Sequence, residues 1–301
     1  MNAIVKNLFF VTLALGLNTG TVSAEEALLK PFVLASKGAG SVSGKASAAK
    51  TALLANGFSV VGSYSPYPDT TIIVVSNDEM KSTAAKSDHG GFGAVQRVAV
   101  AKVKDEVQVS YTNPTYMAYG YRMSGDLSNT AAKLQAALGK MEEFGAAGLS
   151  ADNLRKYHYM LGMEYFDEPS VLAEHSSHEE ALKTVEANLA AGKGGVTKVY
   201  RVDVPGKKES VFGVGMKGGD KYMDDQYIMG VIDFKETKSA AHLPYEILVT
   251  GNKVIALYAR FRIALDFPDL KMAGQNSFMK IMESPEAIRK ALVTAAGGTE
   301  S

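Results

Sequence analysis

Two stretches of this chain lay out the same strand–turn–strand pattern. Residues 98–114 (VAVAKVKDEVQVSYTNP) lie without a gap over residues 245–261 (YEILVTGNKVIALYARF), at a constant offset of 147 (245 − 98). Val107 falls on Val254, Tyr111 on Tyr258, and the Lys104-Asp105 turn on Gly251-Asn252. Both halves also follow one order: strand, helix, strands, connector, hairpin, helix. A repeated unit with a repeated element order implies duplication. The expected fold is therefore α+β: two similar modules, about 25–150 and 151–301. Each has a small, mainly antiparallel sheet with helices on one face, and the two are arranged as a pseudo-dimer. The small, flexible stretch 145–150 is the natural joint.

Periodicity and turn chemistry place the elements. In the first half, strands are expected over 31–36, 58–64, 70–76, 95–103 and 107–112, and helices over 46–56, 78–86 and 128–144. In the second, strands are expected over 157–166, 196–204, 209–216, 227–234, 245–250 and 254–263. Helices are expected over 177–191 and 285–296, with a helical turn within 235–241. Ser177 and Glu180 have capping-box spacing, and Gly57 and Gly192 stand where helices stop. The two hairpins differ. Val107, Val109 and Tyr111 alternate with Gln108, Ser110 and Thr112, which reads as a strand with one wet face. The second copy is apolar on both faces up to Arg260, so its second face needs a cover: the other half, a partner chain or a ligand.

These residues resemble a family. A helix ending at Gly57-Phe58, then Ile73-Val74-Val75-Ser76-Asn77, then a valine-rich hairpin closing on Tyr111-Thr112-Asn113-Pro114, is similar to the domain of unknown function 302. Gly230-Val231-Ile232-Asp233, the run 243–249 and the last helix keep the outline in the second half. The resemblance covers most of the chain as two divergent copies. It implies small α+β modules that tend to pair, and it implies no reaction.

Composition bounds the function. Residues 1–7 are a short basic start, 8–17 are apolar, and Val22-Ser23-Ala24 precedes Glu25-Glu26. This is the three-part pattern of a secretory leader, cleaved after Ala24. The expected location is periplasmic or secreted. The apolar run is about half the roughly 20 residues of a membrane span. There is no cysteine, so no disulfide staples the fold, and thiol chemistry, thiolate metal sites and covalent haem attachment are excluded. With 32 basic and 32 acidic residues and no long run of one sign, the chain lacks the basic stripe of a nucleic-acid binder.

The leading functional expectation is an exported binding or accessory protein, not an enzyme. Its partner would be a small amphipathic or anionic ligand, or an exported protein; a homo-oligomer also fits, and no cofactor is specified. The candidate binding residues are Tyr111, Tyr116, Arg122, His242, Tyr258, Arg260 and Arg262, because tyrosine and arginine favour contact surfaces. Tyr119 and Tyr121 belong to the same aromatic cluster. On a strand, Arg260 and Arg262 share a face and form a cationic patch. A structural ion pair with Asp266 or Asp269 is the competing account. One alternative is metal or non-covalent haem binding by His158, His175, His178 and nearby methionines such as Met160, weighed against solvated cap histidines. A second is a hydrolase using Ser239 and His242, although no G-x-S-x-G elbow is present. Asp233, Glu236 and Glu246 could pair as carboxylates, but acids near strand ends are usually solvated. The glycines at 90–93 and 213–215 match no phosphate loop and read as turns.

Overall fold

The computed structural model describes residues 27–160 and 162–299; the leader expected over 1–24 lies outside them. The first half builds an antiparallel sheet from β1 (Phe32–Gly38), β2 (Ser59–Tyr64), β3 (Thr70–Ser76), β4 (Gln96–Val103), β5 (Glu106–Thr112) and β6 (Glu142–Phe144). Their order is β2-β3-β4-β5-β1-β6. The second half builds another from β7 (Ser170–Glu174), β8 (Val196–Asp203), β9 (Glu209–Met216), β10 (Tyr245–Thr250) and β11 (Lys253–Ala256). Read from the β8 edge, its order is β8-β9-β10-β11-β7, the order of the first sheet without β6. The hairpin registers agree as well. Val103 faces Glu106 across the first hairpin and Thr250 faces Lys253 across the second, both displaced by 147 (250 − 103, 253 − 106).

Helices α1 (Val42–Ala55) and α4 (Ser128–Leu138) cover the outer face of the first sheet, and α6 (His178–Ala190) and α9 (Ser284–Ala296) that of the second. Between these lie α2 (Asp78–Ala85), α3 (Pro114–Gly120), α5 (Ala151–Arg155), α7 (Asp225–Ile232) and α8 (Ala259–Asp266). The alternation of the strands decides what meets what. Phe212, Val214, Ile247, Val249 and Val254 face outward onto Val185, Leu189, Ile288 and Leu292. Tyr200, Val202, Val211, Leu248 and Ile255 face inward and join the core of the first half. Strand β11 is thus covered on both faces, the second by the other half of the chain. At roughly 2 kcal/mol for each large side chain, wetting those five would cost on the order of 10 kcal/mol. That is comparable to the whole stability of a domain.

The joint between halves is reciprocal. The turn Gly90–Gly93 packs on β9 and β10: the Gly91 amide donates to Glu209 Oε2 at 3.3 Å, and a side chain at Gly91 would collide with Leu248. The segment 236–242 crosses the other way onto β4 and β5. This corrects the wet face expected of β5. Gln108, Ser110 and Thr112 are buried; that segment binds the first two, and the Thr112 hydroxyl donates to Gln96 Oε1 at 2.6 Å. Gln108 donates to the Glu236 carbonyl at 3.0 Å and accepts from the Lys238 amide at 3.0 Å, while Ser110 donates to the Lys238 carbonyl at 3.3 Å.

Several elements differ from expectation. The strand expected over 254–263 stops at Ala256, and the chain enters helix α8. Almost all of α8 is buried, the charged Arg262 and Asp266 included, so it has no wet face whose spacing would separate helix from strand. The strand expected over 227–234 is α7: Asp224 Oδ1 caps it by accepting from the Gln226 and Tyr227 amides. Its buried residues Ile228, Met229 and Ile232 recur at helical spacing. Residues 157–160 and 162–166 are turns and irregular chain. Their aromatic content serves the interface, where Phe166 stacks on Tyr121 and meets Phe92 and Phe261 edge-on or tilted. Helix α4 ends at Leu138, and 142–144 form β6. The glycines 213 and 215 lie inside β9, because the rings of Tyr200 and Tyr64 occupy their side-chain positions. Helix α1 begins four residues before the expected 46, capped by Ser41 accepting from the Gly44 amide at 3.1 Å. Strand β7 and helices α3 and α5 lie outside the expected elements.

Candidate functional site

The expected binding residues are dispersed, and most are anchors of the core. The hydroxyls of Tyr111 and Tyr116 donate to backbone carbonyls of Gly139 (3.2 Å) and Leu265 (2.7 Å). Arg122 is a surface residue paired with Asp167 at 2.7 Å. On α8 successive residues turn by about 100°, so Arg260 and Arg262 point to opposite sides. Arg260 is 40 % exposed, lies over the Tyr258 ring and pairs with Glu164. Arg262 is 1 % exposed. The cationic patch therefore does not form, and neither arginine pairs with Asp266 or Asp269.

Arg262 belongs instead to a buried network at the joint. Its Nη2 donates to the carbonyls of His242 (2.7 Å) and Pro244 (3.2 Å), lies 3.9 Å from Glu246 Oε2, and its guanidinium stacks over Tyr245. Glu246 Oε1 accepts from Arg97 of the first half at 3.1 Å and from the Tyr200 hydroxyl at 2.7 Å. His242 Nδ1 meets Asp266 Oδ2 at 2.6 Å. Burial holds the His242 imidazole below its usual range. Burial opposes ionisation of Asp266, but the His242 bond and nearby arginines keep its carboxyl below the usual range. The pair is then a neutral imidazole donating through Nδ1–H to a carboxylate. Two guanidinium groups balance two carboxylates, so the network offers an anion no net charge; its part is to lock the halves.

This arrangement also separates the hydrolase candidates. The acid partner of His242 is Asp266, and Ser239 is held by its amide, which donates to Asp233 Oδ1 at 2.9 Å. Among the described residues no hydrogen bond joins the Ser239 hydroxyl to the His242 ring. The three histidine rings of the metal alternative bind carbonyls: His175 that of Ala296, His178 that of Gly251, and His158 that of Met160. Among the described residues no group of three or more His, Asp or Glu could hold a metal ion.

A site open to solvent lies elsewhere on the joint. A cleft of about 530 Å³ is lined by Tyr67, Thr70 and Lys102 of the first half and by Met229, Phe234 and Lys238 of the second, with Asp233 in its wall. That volume is within the usual range of ligand sites. Helix α7 forms one side, fixed at its start by Asp225, whose Oδ2 accepts from the Tyr64 hydroxyl (2.7 Å) and the Met216 amide (2.9 Å). Phe234 is 49 % exposed at the mouth. The Lys238 ammonium donates to the Asp233 carbonyl at 2.7 Å. Among the described residues neither Lys102 nor Lys238 enters an ion pair. Burial pushes the Asp233 carboxyl up to about 6, so the cleft grows more cationic as pH falls through that value.

No family model, curated protein or solved structure matches this chain.

None of the seven residues expected from sequence lines the cleft. Its lysines and Asp233 stand in segments that read as strand ends and turns, and only the packing of one half on the other brings them together. The one usable signal was the capping Asp224, which would have made 225–232 a helix and turned Asp233 toward the joint.

Proposed function

We propose that this is an exported binding protein whose site is the junction cleft, and that it takes a small amphipathic molecule with an anionic group. The observation that carries this reading is the pair Lys102 and Lys238, two lysines that line one cleft beside Met229 and Phe234 and enter no ion pair among the described residues. An acidic head would meet the lysines through charge-assisted hydrogen bonds, and its apolar part would cover Met229 and Phe234. The export-type start of the sequence supports a periplasmic or secreted location. The shared strand order of the two sheets supports reading the chain as two divergent copies of one module, set face to face as a pseudo-dimer; that the module is the domain of unknown function 302 rests on the sequence resemblance.

One preparation tests these points together. Protein from the exported fraction should have the intact mass of a chain beginning at Glu25. Titrated with hexanoate and followed by NMR, it should show binding at the cleft. Lys102→Gln with Lys238→Gln should weaken that binding about tenfold without loss of fold, and hexan-1-ol should bind the native protein and the variant alike. Equal hexanoate affinity in native and doubly substituted protein would remove the lysines from the site.

A further inference from the structure

We infer that the molecule held in the junction cleft has a long, unbranched apolar tail that crosses α7 over Gly230; this rests on the anion-binding reading of that cleft. Gln226 and Gly230 are one turn apart on the exposed line of α7. The junction cleft lies on one flank of that line, beside Met229 and Asp233. On the other flank is a second, open depression of about 580 Å³, lined by Lys221, Tyr227 and Val231 among others. Both hollows are bordered by Gln226 and Gly230, so they are two lobes divided by one ridge.

Gly230 is the low point of the ridge, and nothing inside the protein calls for glycine there. Its φ is not positive, and a Cβ built on it meets no atom within 4 Å. Glycine in a helix interior weakens the helix relative to alanine, so this residue has a cost without a structural return. What a side chain would fill is the passage between the lobes. Val231 flanks the passage with apolar surface on one side and the buried Met229 lies beneath the other, and a hydrocarbon chain asks for no hydrogen bond there. Beyond it, Tyr227 offers a ring, with the Lys221 ammonium 5.7 Å from its centre. A head held at Lys102 and Lys238 reaches that ring only if its tail exceeds the roughly 10 Å breadth of a helix. Dodecanoate does so and hexanoate does not.

The test compares the two acids, both as monomers in solution, on the full exported chain. Native protein should bind dodecanoate at least about thirtyfold more tightly than hexanoate, given about fourfold for each fully buried methylene. In Gly230→Leu, checked for folding by its melting temperature, that ratio should collapse toward one. Gly230→Ala should raise the melting temperature by about 1–3 °C. A dodecanoate-to-hexanoate ratio that survives Gly230→Leu, or a lower melting temperature in Gly230→Ala, overturns the tail path while hexanoate binding leaves the head site standing. Failure of hexanoate to bind at all overturns both readings. Phosphatidylglycerol vesicles form a further arm: binding to them with no binding of monomeric dodecanoate assigns the surface to membrane and also overturns the inference.

Discussion

Asp225 and Asp233 stand at the two ends of α7, and burial pushes their carboxyls up to about 7 and about 6. For Asp225 this happens although two donors favour the charged form, so desolvation outweighs them. An unfolded aspartate titrates near 4. Between pH ~4 and ~7 the folded chain therefore holds protons that the unfolded chain releases, and stability falls as pH rises through that window. Asparagine at 225 can still accept from Tyr64 and Met216 through its carbonyl oxygen. Asp225→Asn should recover about 1–3 kcal/mol at pH 8 relative to the native chain and little at pH 4. Urea unfolding of both proteins at several pH values measures this; parallel curves would show that Asp225 is ionised at no cost.

Element by element, the sharpest departure is at 254–263, where a strand followed by a buried helix replaces one long strand. The change of period separates two neighbouring arginines. As a strand, the segment would give Arg260 and Arg262 similar surroundings. As α8, it makes Arg260 a partly exposed partner of Glu164 and Arg262 a buried member of the joint. Arg260→Gln should cost less than about 1 kcal/mol. Arg262→Gln leaves buried acceptors and Glu246 undercompensated and should cost about 3–5 kcal/mol. Chemical denaturation of the two variants reads the difference, and equal losses would contradict the helix.

Across the whole molecule, each half covers surface that the other cannot leave wet. The inner face of β10 and β11 lies on the first half, and Gln108 and Ser110 on the polar face of β5 are satisfied by backbone groups of 236–238. The sheets should therefore unfold together. Scanning calorimetry of the native chain should give one transition, with equal calorimetric and van't Hoff enthalpies. Glu246→Ala, which strands Arg97 and Arg262, should lower that single transition by about 3–5 kcal/mol of stability without splitting it. Two separated transitions would mean that the halves are independent.

Local pattern alone determined much of this protein. The strands at 70–76, 209–216 and 245–250, the capped helix after Ser177 and the matched hairpins were legible, because alternation, caps and tight turns act within a few residues. The need to cover β11 was legible for the same reason. Tertiary structure decided the rest. Where a segment is buried on all sides with its charges, as in α8, no wet face marks the period, and packing chooses the helix. Where a polar face such as that of β5 looks wet, a segment more than a hundred residues away supplies its hydrogen bonds. The candidate site belongs to this second class: Lys102, Asp233 and Lys238 are ordinary charges in sequence. They share a cleft only because burial of the two inner sheet faces fixes how the halves meet.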